Sequence, residues 1–283
     1  MLLIALLSVS PTDTYSTVNQ RTLKSSHTLV DMSSLKFARQ KYCERWGCTA
    51  LWTHAQPAAH KTALVRTQDG MERQTMPPYY NKMIVLKRVL PHYDYIVFLD
   101  ADVVITNFDL NITDFVLANQ HGIAFEVQVN VFSKHSSRST RLLDLWHDSA
   151  VGDGCRYRRF PYNYRFQSIN GDMPWFWYAM LRLYEEYYVE HVDCIQPCSN
   201  TSWVHDCAKT VWRRPKAQRL LSPEHYGGKK IVCEMQWGNR RSAAESAKRA
   251  WMLHIKANNR KFFPIAEAIK TLHATGRWTF ASV

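Results

Sequence analysis

The sequence lacks the features that would divide a chain of this length or place it in a membrane. Its 283 residues include only 10 glycines and 11 prolines, and no Pro/Gly/Ser-rich linker or repeat of fixed period interrupts them. No apolar run reaches the roughly 18–20 residues that a membrane span needs. With 46% apolar and 13% aromatic side chains, the chain is also neither disordered nor collagenous. We therefore expect one globular domain over residues 1–283, with no transmembrane segment in this chain.

Zinc-ligand spacing is also missing, because none of the seven cysteines forms a C-x-x-C pair. Three of them, Cys194, Cys198 and Cys207, instead surround the N-glycosylation sequon at Asn200, and a second sequon begins at Asn111. Sequons beside clustered cysteines favour a secretory-pathway lumen, such as the Golgi, in which disulfides form. We therefore predict a glycoprotein with some disulfides, and the odd cysteine count predicts at least one unpaired thiol.

Positive charge is present in excess but is not concentrated. The 36 Lys and Arg residues exceed the 24 Asp and Glu residues, which gives a formal net charge of +12. A surplus of this size attracts anionic partners, such as nucleic acid, a membrane surface or a phosphorylated small molecule. Because no block of like charges appears, composition alone leaves these partners open.

The first half of the chain alternates apolar runs with helical periodicity. The opening run over 2–9 is short, continuous and apolar, which predicts a strand buried on both faces rather than the core of a signal peptide. The pattern then predicts, in order, a helix that is capped by Ser33 or Ser34 and stopped by Gly47, a strand over 48–52 and a long polar loop over 53–78.

The alternation continues through the rest of the chain. A helix is predicted over 80–90, with Met83, Leu86 and Leu90 on one face, and a strand over 95–99 follows it. The later elements are a strand over 123–129, helices over 140–148 and 174–190, and a strand over 251–255. Strands that alternate with helices predict an α/β fold with a mostly parallel central sheet flanked by helices.

Two carboxylates come directly after the predicted strand over 95–99. Asp100 and Asp102 flank one alanine, and ligands in open α/β sheets bind beyond the carboxyl ends of strands. Residues two apart can both reach one divalent ion as it bridges to phosphate oxygens. Two enzyme classes use this pattern: metal-dependent glycosyltransferases, and haloacid-dehalogenase-type phosphatases, in which the first aspartate is the nucleophile.

The position of the pair favours the glycosyltransferase. In the phosphatases the motif belongs to the first strand of the domain and is followed by a lysine and a paired acidic motif. Here roughly 95 residues with at least two strands precede Asp100, and Gly171-Asp172 has no acidic partner nearby. The phosphatase therefore remains the second interpretation.

The stretch Tyr80-Asn-Lys-Met, together with Leu90-Pro-His-Tyr-Asp-Tyr-Ile-Val-Phe-Leu-Asp-Ala-Asp102, resembles a known group. It is similar to the lysine-bearing helix, aromatic strand and D-x-D motif of GT-A nucleotide-sugar transferases. The resemblance is closest to glycosyltransferase family 34, which contains galactosyl, mannosyl and xylosyl transferases, and more distant to family 8. Weaker matches follow in the family's order over roughly residues 1–265, at Asn130-Val-Phe-Ser-Lys, Asn170-Gly-Asp172 and His254.

The resemblance implies a GT-A-like single domain and a metal site. The nucleotide-binding half would cover about 1–105 and the acceptor-side half about 106–283. Asp100, Asp102 and His254 would be the protein ligands of Mn²⁺ or Mg²⁺, and imidazole is a suitable third donor. The loop Ser10-Pro-Thr-Asp13 would lie where such folds hold the nucleotide base.

The resemblance also implies roles for several residues around the donor. Lys82 would contact the nucleotide diphosphate, and Lys256 and Lys261 would neutralise the released nucleoside diphosphate. Asp172 matches the acidic position that faces the anomeric carbon or the acceptor, although Met173 follows it where the family usually has glutamine. Asp172 also precedes Pro174 and a predicted helix, where aspartate is a favoured cap.

The expected function is metal-dependent transfer of a sugar from a UDP- or GDP-sugar to a glycan or glycoprotein acceptor, with no nucleic acid partner. The resemblance implies retention of anomeric configuration. Two alternatives remain: a phosphatase that uses Asp100 and Asp102, and a non-enzymatic polyanion binder that rests on the net charge and the aromatic content.

Overall fold

A computed structural model describes residues 2–11, 32–55, 62–67, 70–75, 81–100, 103–118, 129–151, 173–190, 192, 207, 210–218, 225–226, 229–234 and 250–254. The strands in these ranges are β1 (Ile4–Pro11), β2 (Thr49–Ala55), β3 (Thr62–Thr67), β4 (Gly70–Thr75), β5 (Tyr95–Leu99), β6 (Val103–Ile105), β7 (Val129–Ser133), β8 (His225–Tyr226), β9 (Lys229–Glu234) and β10 (Ala250–His254). The helices are α1 (Met32–Trp46), α2 (Asn81–Val89), α3 (Ile112–Ala118), α4 (Ser137–Val151), α5 (Met173–Tyr188) and α6 (Pro215–Gln218), and a 3₁₀ turn covers Leu90–His92.

The central sheet has the strand order β2-β1-β5-β7. β1 is parallel to both β2 and β5, whereas β7 is antiparallel to β5. All five residues of β5 are buried, as expected for an apolar strand that is covered on both faces. The predicted α/β class, with a mostly parallel central sheet flanked by helices, is confirmed.

A second sheet contains β6, the strand that follows β5 in the chain, and its strand order is β6-β10-β9-β8. β10 is antiparallel to β6 and parallel to β9. Thr106 fixes the end of β6, because its backbone N–H donates to the carbonyl of Trp251 at 2.8 Å and its hydroxyl donates to the same carbonyl at 2.9 Å. The chain segment after β5 is thereby held against the C-terminal strand β10.

Apolar side chains fill a core on each face of the central sheet, because successive strand residues point to opposite faces. One core joins sheet residues to α2, α4 and α5, and it includes Phe98, Trp146 and Phe176. Trp146 and Phe176 pack edge to face at 4.9 Å. The other core joins the opposite face to α1, α3 and β10 through Tyr42, Phe115 and Trp251.

Helix α1 ends as the sequence predicts, at a left-handed glycine. Gly47 has φ +69°, and its N–H donates to the carbonyl of Cys43 at 2.8 Å. A disulfide joins Cys43 to Cys48 across this turn and ties α1 to β2. The chain-entropy relation gives about 2 kcal/mol for so short a loop. The start of the helix differs from the prediction, because α1 begins at Met32 and includes Ser33 and Ser34 in its first turn.

The predicted loop over 53–78 is wrong. β2 continues to Ala55, and β3 and β4 form an antiparallel hairpin in which Thr67 pairs with Gly70. The three prolines of this region favoured a loop, but Pro57, Pro77 and Pro78 all lie outside the three strands.

Several other boundaries differ by a few residues. β1 extends through Pro11, so Ser10 and Pro11 belong to the strand and not to the loop expected there. The predicted strand over 123–129 lies outside the described residues except for Val129, where β7 begins. The predicted strand over 95–99 is confirmed with the same bounds as β5, and the remaining predicted elements are confirmed with shifted ends, as α2, α4, α5 and β10.

Some of the features expected of a secretory-pathway protein lie within the described residues. Asn111, the acceptor of the first sequon, caps α3, because the N–H of Thr113 donates to Asn111 Oδ1 at 2.8 Å. Cys207 is disulfide-bonded, whereas Asn200, Cys194 and Cys198 lie outside the described residues. Within the described ranges, none of the helices combines the length and apolar character needed to cross a bilayer.

An ionic cluster joins the strands at the end of the sheet that is remote from the D-x-D pair. Asp94 precedes β5, and its carboxylate accepts from the N–H of Leu3 at 2.8 Å and from Lys134 Nζ at 2.9 Å. His135 Nε2 lies 3.1 Å from the same carboxylate. The bond from Leu3, followed by those from Lys134 and His135, holds the pKa of Asp94 well below its ordinary value.

The lowered pKa of Asp94 predicts that the protein loses stability in acid. A carboxyl group with a depressed native pKa contributes stability above its unfolded pKa of about 3.9, and the contribution is lost as the pH falls below that value. We expect the thermal midpoint of the wild type to fall more between about pH 7 and pH 3 than that of Asp94→Asn, because the amide does not titrate. Asp109→Asn is the control, since that side chain is 83% exposed, and it should follow the wild type. Parallel pH curves for the wild type and Asp94→Asn would contradict the prediction.

Candidate active site at the carboxyl end of the central sheet

Asp100 is the first residue after β5, at the carboxyl end of a central strand of the sheet. The backbone N–H of Val103 donates to the carbonyl of Asp100 at 3.0 Å, which closes a tight turn between β5 and β6. A quarter of the Asp100 side chain is exposed. The carboxylate can therefore meet a ligand from solvent while its backbone is fixed by the sheets on both sides.

Lys82 points to this carboxylate from the first turn of α2. Its Nζ donates to Asp100 Oδ1 at 2.9 Å, and only 7% of the side chain is exposed. The ammonium also lies 5.4 Å from the ring of Phe98 and 5.9 Å from the ring of Trp146. Lys82 is therefore not an ordinary surface lysine, because a buried ammonium requires a charged partner and finds it in Asp100.

His254 reaches the same region through the strand register. It is the last residue of β10, is 9% exposed, and pairs with Val103 in the antiparallel ladder between β10 and β6. Val103 directly follows Asp102 in the sequence. Val103 and His254 are 151 positions apart in the chain, yet the ladder pairs them directly.

The structure adds one residue that the sequence analysis did not select. Arg39 of α1 is 3% exposed, and its Nη2 donates to the carbonyls of Asp100 at 2.9 Å and of Val103 at 2.6 Å. Its Nη1 donates to the hydroxyl of Ser8, which in turn donates to the carbonyl of Leu99 at 2.7 Å. These bonds hold the backbone on both sides of the D-x-D pair.

A sequence pattern identifies Arg39. Leu35, Ala38 and Tyr42 define the apolar face of α1, and Arg39 stands four residues after Leu35 on the same stripe. A charged residue within an apolar stripe is buried with its partners, or the helix does not pack there. The guanidinium also lies 4.8 Å from the ring of Trp52, next to which it packs.

Four of the predicted site residues cannot be placed in this geometry. Asp102, Asp172, Lys256 and Lys261 lie outside the described residues. Of the seven predicted residues, the structure therefore brings together Lys82 and Asp100 by direct contact, and His254 by register. The roles of the other four stay predictions.

The donors at this end of the sheet are suited to a divalent metal. Asp100 offers carboxylate oxygens and already holds one cation, the ammonium of Lys82, while His254 offers an imidazole. Carboxylate and imidazole together suit Mn²⁺, and carboxylate suits Mg²⁺. Within the described part of the chain, no three His, Cys, Asp or Glu side chains form a group that could hold a metal. Asp102, the third ligand that the sequence predicts, lies outside the described residues.

Part of the chain matches the sequence model of a known family. Residues 14–123 match the sequence model of the galactosyl transferase GMA12/MNN10 family, a range that includes Lys82, Asp100 and Asp102. The resemblance to glycosyltransferase family 34 is thereby confirmed, and the match supports glycosyl transfer as the activity. No curated protein matches the chain.

Among solved structures, the chain is similar to a glycosyltransferase involved in the glycosylation of the major capsid of PBCV-1. The sequence identity is 13% and the TM-score is 0.42. The alignment covers 95% of this chain and 99% of that one.

Proposed function

We propose that this glycosyltransferase, related to the GMA12/MNN10 family over residues 14–123, transfers a sugar from a UDP- or GDP-sugar to a glycan or glycoprotein acceptor in a metal-dependent reaction. The observation that carries the proposal is the contact of Lys82 with Asp100 at the carboxyl end of β5. Such a pair places a carboxylate for a metal and an ammonium for a diphosphate within one hydrogen bond of each other.

Asp100, Asp102 and His254 would hold Mn²⁺ or Mg²⁺ in this proposal. The bound ion would supply charge that stabilises the departing nucleoside diphosphate. The chain's own part is to keep the ligands in place, because β5 and β6 fix the backbone of Asp100 and the β6–β10 ladder fixes His254. Retention of anomeric configuration is proposed on the family resemblance.

Three lysines would bind the nucleotide diphosphate, and one aspartate would take part in the transfer of the sugar. Lys82 would leave Asp100 Oδ1 for a phosphate oxygen when the donor binds, and Lys256 and Lys261 would add positive charge near the same group. Asp172 would face the anomeric carbon or the acceptor. The net charge of +12 supports an anionic donor, since it raises the local concentration of nucleotide sugars.

We place the reaction in the Golgi or another secretory-pathway lumen. The disulfide between Cys43 and Cys48 supports this assignment, because disulfides persist in oxidising compartments. The two sequons, at Asn111 and Asn200, are compatible with a glycoprotein of the same pathway.

The proposal is tested by isothermal titration of UDP and GDP into the wild-type protein, with Mn²⁺ and with EDTA. We expect one of the two nucleotides to bind with Mn²⁺ and not with EDTA, because the ion links the carboxylates to the diphosphate. UMP and GMP are the matched control ligands, and we expect them to bind more weakly since they lack the second phosphate. The preferred nucleotide then shows whether the donor is a UDP-sugar or a GDP-sugar.

If neither UDP nor GDP binds in either condition, the proposed function is wrong. Phosphate release from a monoester would then favour the phosphatase that uses Asp100 as nucleophile. Salt-sensitive binding of DNA or RNA that does not require Asp100 would favour the polyanion binder.

A further inference from the structure

We propose that Arg39 is a positioning residue, which fixes the backbone of Asp100 and Val103 so that the side chains of Asp100, Asp102 and His254 can meet one metal ion. The proposal rests on the proposed function, since it assigns a task to Arg39 within that metal site. Arg39 lies on α1, outside the β5–β6 turn and outside the strand that carries His254.

The guanidinium of Arg39 directs its hydrogen bonds to the backbone around the D-x-D pair. A buried charge is costly unless donors and acceptors compensate it, and Arg39 is 3% exposed. Its Nη2 donates to the carbonyls of Asp100 and Val103, one on each side of Ala101-Asp102. The arginine thus bonds to the two ends of the short segment that contains the second carboxylate.

The backbone of Asp100 is held by more than one hydrogen bond. Its carbonyl accepts from Arg39 Nη2 at 2.9 Å and from the N–H of Val103 at 3.0 Å. Ser8, held by Arg39 Nη1, donates to the carbonyl of Leu99 just before it. Two consecutive carbonyls are therefore held by one network, and rotation of the peptide that orients the Asp100 side chain is restricted.

Val103 connects the guanidinium of Arg39 to the strand that carries His254. Val103 pairs with His254 in the β6–β10 ladder, and the carbonyl of Val103 accepts from Arg39 Nη2 at 2.6 Å. One guanidinium therefore restrains the turn that carries the aspartates and the strand residue opposite the histidine. A lysine cannot reproduce this, because its single ammonium lacks the planar fork that bonds several oxygens at once.

The test compares Arg39→Met and Arg39→Lys with the wild type in titrations of Mn²⁺ at fixed UDP or GDP. Free Mn²⁺ is followed by its electron paramagnetic resonance signal, and folding is followed by thermal unfolding. We expect Arg39→Met to bind Mn²⁺ about 10- to 100-fold more weakly, as is usual when an outer partner of metal ligands is removed. Arg39→Lys keeps the charge but not the fork, so we expect an intermediate affinity.

Arg45→Met is the matched control. Arg45 lies on the same helix, pairs with Asp109 at 2.8 Å and packs beside Trp46, but its side chain is 47% exposed and it makes no contact with the β5–β6 turn in the described structure. We expect this variant to bind Mn²⁺ as the wild type does.

The outcomes separate this proposal from the proposed function. If the wild type binds Mn²⁺ with nucleotide, and folded Arg39→Met or Arg39→Lys binds it equally well, Arg39 is not a positioning residue while the metal site stands. If the wild type itself does not bind Mn²⁺ with either nucleotide, the proposed function fails and the proposal for Arg39 fails with it. Should Arg39→Met not fold, Arg39→Lys and Ser8→Ala decide, and affinities equal to the wild type in both would overturn the proposal.

Discussion

Replacing Asp100 by asparagine, or Asp102 by alanine, is expected to abolish the Mn²⁺-dependent binding of UDP or GDP. The asparagine has nearly the same shape as the aspartate but no charge, so it is a poor ligand for a hard divalent ion. Alanine at position 102 removes the second carboxylate altogether. Isothermal titration with Mn²⁺ and with EDTA measures the loss, and retained metal-dependent binding in both variants would contradict the metal site.

Asp100→Asn should also lower the free energy of unfolding, by about 1–3 kcal/mol, because it removes the negative charge that the buried ammonium of Lys82 contacts at 2.9 Å. The exposed quarter of the Asp100 side chain keeps this cost toward the lower end, since water can screen part of the change. Urea unfolding followed by circular dichroism measures it. The loss of binding is separable from this effect, because the titrations are made where the variant is folded.

Asp144→Asn is the matched control for Asp100→Asn. Asp144 pairs with Lys87, which lies on the same helix as Lys82, but both side chains are well exposed, at 45% and 39%. Exposed pairs of this kind contribute roughly 0–1 kcal/mol. We expect Asp144→Asn to unfold nearly as the wild type does and to bind nucleotide unchanged. A similar loss of binding in this variant would assign the effect of Asp100→Asn to folding.

The residues that could be predicted from the sequence are those whose environment is set by local pattern. The continuous apolar run of β5 and the helical spacing of Met83, Leu86 and Leu90 are properties of neighbouring residues, and all of these side chains are buried as expected. Because Asp100 directly follows that run, its position at the carboxyl end of a central strand could be predicted as well.

What could not be predicted depends on partners far along the chain. The register that pairs Val103 with His254 joins residues on two strands that no local pattern connects. The burial of Lys82 has the same origin, since the ammonium is covered by Phe98 and by Trp146 of α4. A helix whose lysine is exposed to solvent could have the same local sequence, so the sequence around Lys82 does not show that its ammonium is buried.

Arg39 is an intermediate case. Its place on the apolar stripe of α1 is visible in the sequence, but its acceptors are backbone carbonyls, which every residue has and no motif can mark. Interactions between a side chain and distant backbone are therefore missed even where the side chain itself stands out. The carboxylate of Asp100 belongs to a sequence motif, whereas the guanidinium of Arg39 that bonds its backbone does not.

Replacing Lys82 by methionine is expected to change the binding of metal and of nucleotide in different ways. The ammonium competes with a metal for Asp100 Oδ1, which it holds at 2.9 Å, so Mn²⁺ alone should bind no more weakly than in the wild type. The proposed contact with the diphosphate is lost, so UDP or GDP with Mn²⁺ should bind about 10- to 100-fold more weakly, the usual range for a charge-assisted hydrogen bond.

Electron paramagnetic resonance of free Mn²⁺ and isothermal titration of the nucleotides measure the two effects separately. Lys87→Met is the control, because Lys87 lies on the same helix and pairs with an aspartate away from the D-x-D turn. Equal weakening of Mn²⁺ binding with and without nucleotide in Lys82→Met would mean that Lys82 only orients Asp100. Weakening confined to the nucleotide would assign Lys82 to the diphosphate, since only that ligand gains a contact from the ammonium.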